Sequence, residues 1–277
     1  MRYVSFRKPD GMASYGRLDG DAVIELGGDD RPASLGAALA VGTLAILADG
    51  DRLALVDVCL LPPIPAPGKV FCVGLNYADH IKEMGREEKG YPAIFTRWAD
   101  SLVAHGEALV RPRESAAYDY EGELAVIIGK AGRRIPAEAA MDHVAGYSIL
   151  MDGSVRDWQR HNIQFTPGKN FPASGAFGPA LVTPDEVPDL AAQRVQTRLN
   201  GELVQDQPVS SMIFDVSAII AYLSTFTELR PGDVIATGTP AGVGDKRNPP
   251  LYLKGGDRLE VSIGTIGTLV NPVVDER

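Results

Sequence analysis

Apolar and polar positions alternate in short runs through the first sixty residues. YVSF (3–6), ASYGRL (13–18) and AVIEL (22–26) read as strands parted by PDG and DGD turns, and two short helical stretches follow around 33–48. Four prolines between positions 62 and 67 force stiff, extended backbone, so a small N-terminal unit is expected over 1–65 and the main domain over 66–277. The main domain opens on an apolar run, KVFCVG (69–74), followed by a helix capped by Asn76 and stopped by Gly85. Strands dominate afterwards, at 93–97, 107–112, 120–129 and 146–152, with a helix opened by Pro136 among them. Asn200-Gly201 between two alternating runs predicts a hairpin. Ile213, Val216, Ile219, Ile220 and Leu223 fall at helical spacing and predict a helix of about four to five turns within 212–229. The tail returns to strands, so the fold class is α+β, mainly β, with a largely antiparallel and strongly curved sheet system.

A chain of 277 residues can bury a sizeable core without disulfides. Cys59 and Cys72 lie in apolar contexts and read as small buried thiols, which suits a reducing cytoplasm. A net charge of −9 with no basic run excludes nucleic acid as a partner. The start lacks an apolar core of signal-peptide length, and no apolar stretch approaches the roughly 20 residues that cross a bilayer, so no membrane partner is expected.

The sharpest chemical feature is the run from Tyr118 to Ile128, read as one strand. Side chains two apart share a strand face, which puts Glu121 and Glu123 together about 6 to 7 Å apart. Turned inward, the two carboxylates call for a hard cation such as Mg²⁺ or Mn²⁺; turned outward, they are a solvated strand end. Asp152 ends an apolar strand at a glycine turn, either as a third oxygen ligand or as the cap of the helix that carries Arg156 and Gln159. His80 and Glu83 form an i,i+3 pair on the first helix of the main domain, either a general-base dyad or a surface contact. The glycine-rich loop 237–244, with Thr239, offers N–H groups and hydroxyls to a substrate carboxylate or is a plain turn. Lys169, in the constrained loop TPGKNF (166–171), either meets an oxyanion or faces water. HExxH and CxxC zinc patterns, serine-nucleophile elbows and phosphate-binding loops are absent.

From Lys69 onward the order of motifs resembles the fumarylacetoacetate hydrolase family: GLNYADHIKEMG, YDYEGELAVIIG, GYSILMDGSVRDWQ, TPGKNF, the NGE hairpin and LRPGDVIATGTPAGVG. The resemblance implies a mixed β-sandwich roll that dimerises, with Mg²⁺ or Mn²⁺, or alternatively Ca²⁺, held by Glu121, Glu123 and Asp152. It also implies His80 and Glu83 as a water-activating dyad, Lys169 as oxyanion stabiliser, and Arg156, Gln159 and Thr239 around a keto-acid substrate. The expected activity is cleavage of the C–C bond of an acylpyruvate, such as fumarylpyruvate or maleylpyruvate, in aromatic catabolism. Oxaloacetate decarboxylation and isomerisation of 2-hydroxyhepta-2,4-diene-1,7-dioate use the same enolate stabilisation, and a non-catalytic metal- or carboxylate-binding protein is the reading from another class.

Overall fold

The computed structural model describes residues 1–87 and 90–277. Its largest sheet has twelve strands, and among its inner strands Gly122–Ile128 pairs antiparallel with Val144–Met151 and with Val234–Ala236. Val234–Ala236 runs parallel to Val70–Gly74, which pairs with Ala93–Arg97 at one end of the sheet. Toward the other end Val144–Met151 pairs with Gly175–Val182, and this strand accepts Arg2–Arg7 through the registers Arg2 with Val182 and Tyr3 with Leu181. The N-terminal strands therefore extend the same sheet. A five-stranded sheet carries the hairpin Arg194–Leu199 and Glu202–Pro208, in which Asn200 and Gly201 both take positive φ, +52° and +85°.

Burial explains why Gly122–Ile128 is an inner strand. Leu124, Val126 and Ile128 enter one apolar cluster with Val261 and Leu269 of the second sheet, while Ala125 and Ile127 enter another with Tyr3, Leu35 and Val70. A strand covered on both faces carries its charged residues inside as well. The helix Val216–Phe226 closes the first cluster through Val216, Ile219, Ile220 and Leu223, each worth about 1.5–3 kcal/mol of burial.

Several local expectations are corrected. The run 118–128 breaks into Tyr118–Asp119, paired with Ser154–Val155, and Gly122–Ile128. The long helix starts at Val216, because the Asp215 carboxylate caps it by accepting the Ala218 N–H, and Ile213 stays outside it. The stretch behind Pro136 is a 3₁₀ helix, Ala137–His143, which buries only Ala140 and so has no apolar stripe to draw it into an α-helix. Lys169 lies in a short helix, Thr166–Lys169, and not in a loop. Tyr77 occupies the N-cap position of the helix Ala78–Glu83; the Asn76 amide instead donates to the Phe214 and Thr237 carbonyls, tying three segments together. Cys72 is buried as expected, whereas Cys59, on the short strand Cys59–Leu61, is exposed; both are free thiols. No helix among the described residues is long and apolar enough to cross a membrane.

Candidate active site

Antiparallel register assembles the acids. Gly122 pairs with Met151 and Glu123 with Leu150, and the Asp152 N–H then donates to the Glu121 carbonyl at 2.8 Å. Glu121, Glu123 and Asp152 each present one oxygen, all within 4.8 Å of one another and all buried. Asp152 is no helix cap, since the helix Arg156–Gln159 has Val155 at that position and no side-chain cap.

The three acids are unequally compensated. Lys169, 1% exposed, places its Nζ 2.6 Å from both Glu121 Oε2 and Asp152 Oδ2. Arg156 Nη1 lies 2.7 Å from Glu121 Oε1, and Arg97 Nη1 lies 2.7 Å from Asp152 Oδ1. Glu123 accepts only the Gly238 N–H, at 2.8 Å, and has no ion-pair partner among the described residues. The carboxyl groups respond oppositely. Burial would raise Glu121, but Lys169 and then Arg156 outweigh it and hold it at about 2. Glu123 is pushed well above the usual 4.5 by burial and then by Asp152 and Glu121.

Counting Asp119, which accepts from Arg156 Nε at 2.8 Å, four buried carboxylates face the three cations Arg97, Arg156 and Lys169. With all four ionised, one negative charge is left over, at Glu123, and a divalent cation would turn the local balance positive. An all-carboxylate donor set of this kind fits a hard divalent metal.

A cavity of about 700 Å³ opens on this cluster. Seven of the nine residues singled out from the sequence line it; Glu83 and Asp152 do not. His80 Nδ1 and Glu83 Oε2 are 3.1 Å apart, which leaves Nε2 as the ring nitrogen available to the cavity. Gln159 accepts from Arg156 Nη1 at 3.0 Å, and it can sit there because Gly168 has no side chain: a Cβ would lie 2.5 Å from Gln159.

The glycine loop has a different role from the one expected. Its N–H groups meet the site's own acids, Gly238 donating to Glu123, Gly242 to Glu83 and Gly244 to Asp119. The Thr239 hydroxyl lines the cavity but donates to the Gly122 carbonyl and accepts from Gln205. Arg156 is likewise engaged by Asp119, Glu121 and Gln159. Only Gly fits position 238, where φ is +104° and a Cβ would lie 2.7 Å from the Asn76 side chain.

Four contributors are not assigned to the site by the sequence reading: Arg97, Asp119, Gln205, and Asn76, which it takes only as a helix cap. Asp119 shares the period-two spacing of Glu121 and Glu123, and Arg97 ends an apolar strand as Asp152 does, so both carried a readable signal. Gln205 and Asn76 carried none, because each acts across segments more than 30 residues apart in sequence.

Relatives share this arrangement of the chain. The human mitochondrial oxaloacetate tautomerase FAHD2A is 41% identical over 288 aligned positions, covering 99% of this chain and 92% of that protein. The solved fumarylacetoacetate hydrolase of Exiguobacterium antarcticum superposes with a TM-score of 0.89 at 40% identity over all of both chains. A 2-hydroxyhepta-2,4-diene-1,7-dioate isomerase from Mycobacterium marinum does so with 0.83 at 32%, over 100% of this chain and 99% of that one. Residues 1–63 match the family described as Rv2993c-like, N-terminal. Residues 69–274 match fumarylacetoacetate (FAA) hydrolase C-terminal, and with that span, the acid cluster and these relatives together, the chain belongs to the fumarylacetoacetate hydrolase family of enzymes.

Proposed function

We propose that the chain is a divalent-metal-dependent keto–enol isomerase of small 2-oxo acids, with oxaloacetate as the type substrate. The observation that carries this reading is that His80, oriented by Glu83, lines the same cavity as Glu121, Glu123 and Lys169. The name of the human relative supports the substrate class, and that of the isomerase neighbour supports the reaction type.

A Mg²⁺ or Mn²⁺ ion held by Glu121, Glu123 and Asp152 would supply Lewis-acid polarisation of the carboxylate and keto oxygen of the substrate. His80 Nε2 takes the proton from the carbon beside the keto group, and Glu83 fixes the imidazole tautomer and stabilises the imidazolium. The proton returns to the former keto oxygen, so a C–H bond is exchanged for an O–H bond and no water is consumed. Lys169, which lines the cavity beside the acids, offsets negative charge that grows on that oxygen.

Acylpyruvate hydrolysis is the second reading. It is favoured by the cavity's 700 Å³ and its apolar lining by Phe95, Phe165 and Ile163, more room than a four-carbon acid needs. There the dyad would deliver water to the distal carbonyl. The proposed enzyme works as a homodimer.

One assay separates the readings: loss of the ultraviolet absorbance of enol-oxaloacetate, run beside pyruvate and CO₂ release from oxaloacetate and from fumarylpyruvate. Metal-dependent enol loss without pyruvate is expected. Pyruvate from fumarylpyruvate at a comparable rate would replace the isomerase by a hydrolase, and CO₂ from oxaloacetate would replace it by a decarboxylase.

A further inference from the structure

Arg97 ends the strand Ala93–Arg97 and is 2% exposed. Its five N–H donors meet five acceptors. Nε donates to Ser101 Oγ at 3.2 Å; Nη1 to Asp152 Oδ1 at 2.7 Å and the Gly153 carbonyl at 2.8 Å; Nη2 to Ser174 Oγ at 2.9 Å and the Ser101 carbonyl at 3.3 Å. The space beside it is kept open by Gly175, where a Cβ would lie 2.6 Å from Nη2. Such a fully engaged guanidinium has a single position.

That position divides the two oxygens of Asp152. Oδ1 belongs to Arg97, whereas Oδ2 lies toward Glu121, because Lys169 Nζ touches both Asp152 Oδ2 and Glu121 Oε2 at 2.6 Å. We propose that Arg97 is a positioning residue for the cation site: by holding Oδ1 it presents Asp152 to the cation through Oδ2 alone. This rests on the reading of Glu121, Glu123 and Asp152 as cation ligands. Arg97 itself does not line the cavity, so its effect on the reaction passes entirely through Asp152.

The test is Mn²⁺ binding by the full-length protein, followed by loss of the free-ion electron paramagnetic resonance signal. Arg97→Lys keeps the charge but loses the fork, and is expected to weaken Mn²⁺ about 10- to 100-fold, as loss of a group orienting a metal ligand does. Ser174→Ala and Gly175→Ala keep the arginine itself but release or displace its Nη2, and are expected to weaken Mn²⁺ in the same direction. Guanidinium added to Arg97→Ala should recover part of the lost affinity, which a general loss of folding would not allow. Wild-type Mn²⁺ affinity in folded Arg97→Lys, or in both Ser174→Ala and Gly175→Ala if the former does not fold, overturns the role of Arg97 and leaves the cation site standing. Absence of Mn²⁺ binding by the unaltered protein overturns the site and the role together.

Discussion

Glu83 Oε1 accepts the Gly242 N–H at 2.9 Å while its Oε2 lies 3.1 Å from His80 Nδ1. One carboxylate thus joins the helix Ala78–Glu83 to the glycine loop, and the orientation of the imidazole depends on both.

His80→Ala should cut keto–enol exchange about 10²- to 10⁴-fold while leaving Mn²⁺ affinity unchanged, because imidazole is not among the proposed ligands. Glu83→Gln should cost less than His80→Ala, since the amide oxygen can still accept from Nδ1–H, although its NH2 then faces the Gly242 N–H and the imidazolium is no longer stabilised. Steady-state kinetics beside an Mn²⁺ titration check both. Loss of metal binding in His80→Ala would reassign the histidine to the cation.

Glu123→Gln should act in opposite directions on the metal-free and metal-loaded protein. The folded Glu123 carboxyl ionises well above 4.5, so as pH rises past 4.5 the unfolded chain releases this proton first and the metal-free fold loses stability until Glu123 itself ionises. Above that window Glu123→Gln should stabilise the chelator-treated protein by on the order of 1–3 kcal/mol and abolish metal-induced stabilisation. For the unaltered protein, metal affinity should rise with pH across the same window, with a proton released on binding. Thermal melts with and without chelator at several pH values read all of these.

Glu121 carries the reverse sign. Its folded value of about 2 lies below the usual 4.5, so its contribution is complete above 4.5 and disappears as pH falls through about 2. The difference corresponds to on the order of 3 kcal/mol. Glu121→Gln should remove that acid-side slope and destabilise the protein by about 3–5 kcal/mol at neutral pH, because Lys169 and Arg156 lose a buried counter-charge. Urea denaturation as a function of pH measures it, and an unchanged acid limb would show that the pairs contribute nothing.

Gly238→Ala should lose stability by on the order of 1–3 kcal/mol, through positive φ and the clash with Asn76. It should also weaken metal binding, since the Gly238 N–H is the hydrogen bond that holds Glu123. Retained Mn²⁺ affinity at reduced melting temperature would confine Gly238 to a structural role.

By itself the sequence determined the strand-rich class and the hairpin at Asn200-Gly201, because these depend on period-two alternation and turn chemistry within a few residues. The sequence leaves the inward turn of Glu121 and Glu123 open between burial and solvent, although Leu124 to Ile128 are apolar on both faces, which points to a doubly covered strand. Only the tertiary structure decided what those acids meet. Lys169 as their shared counter-ion, Arg97 on Asp152, and the glycine loop's N–H groups on Glu83, Glu123 and Asp119 all join segments 17 or more residues apart. Such contacts are fixed by strand register and by small residues such as Gly238 and Gly175 that let backbones and side chains close in. No local pattern encodes them, because a buried charge takes its partner from whatever the packed sheets bring within about 3 Å of it.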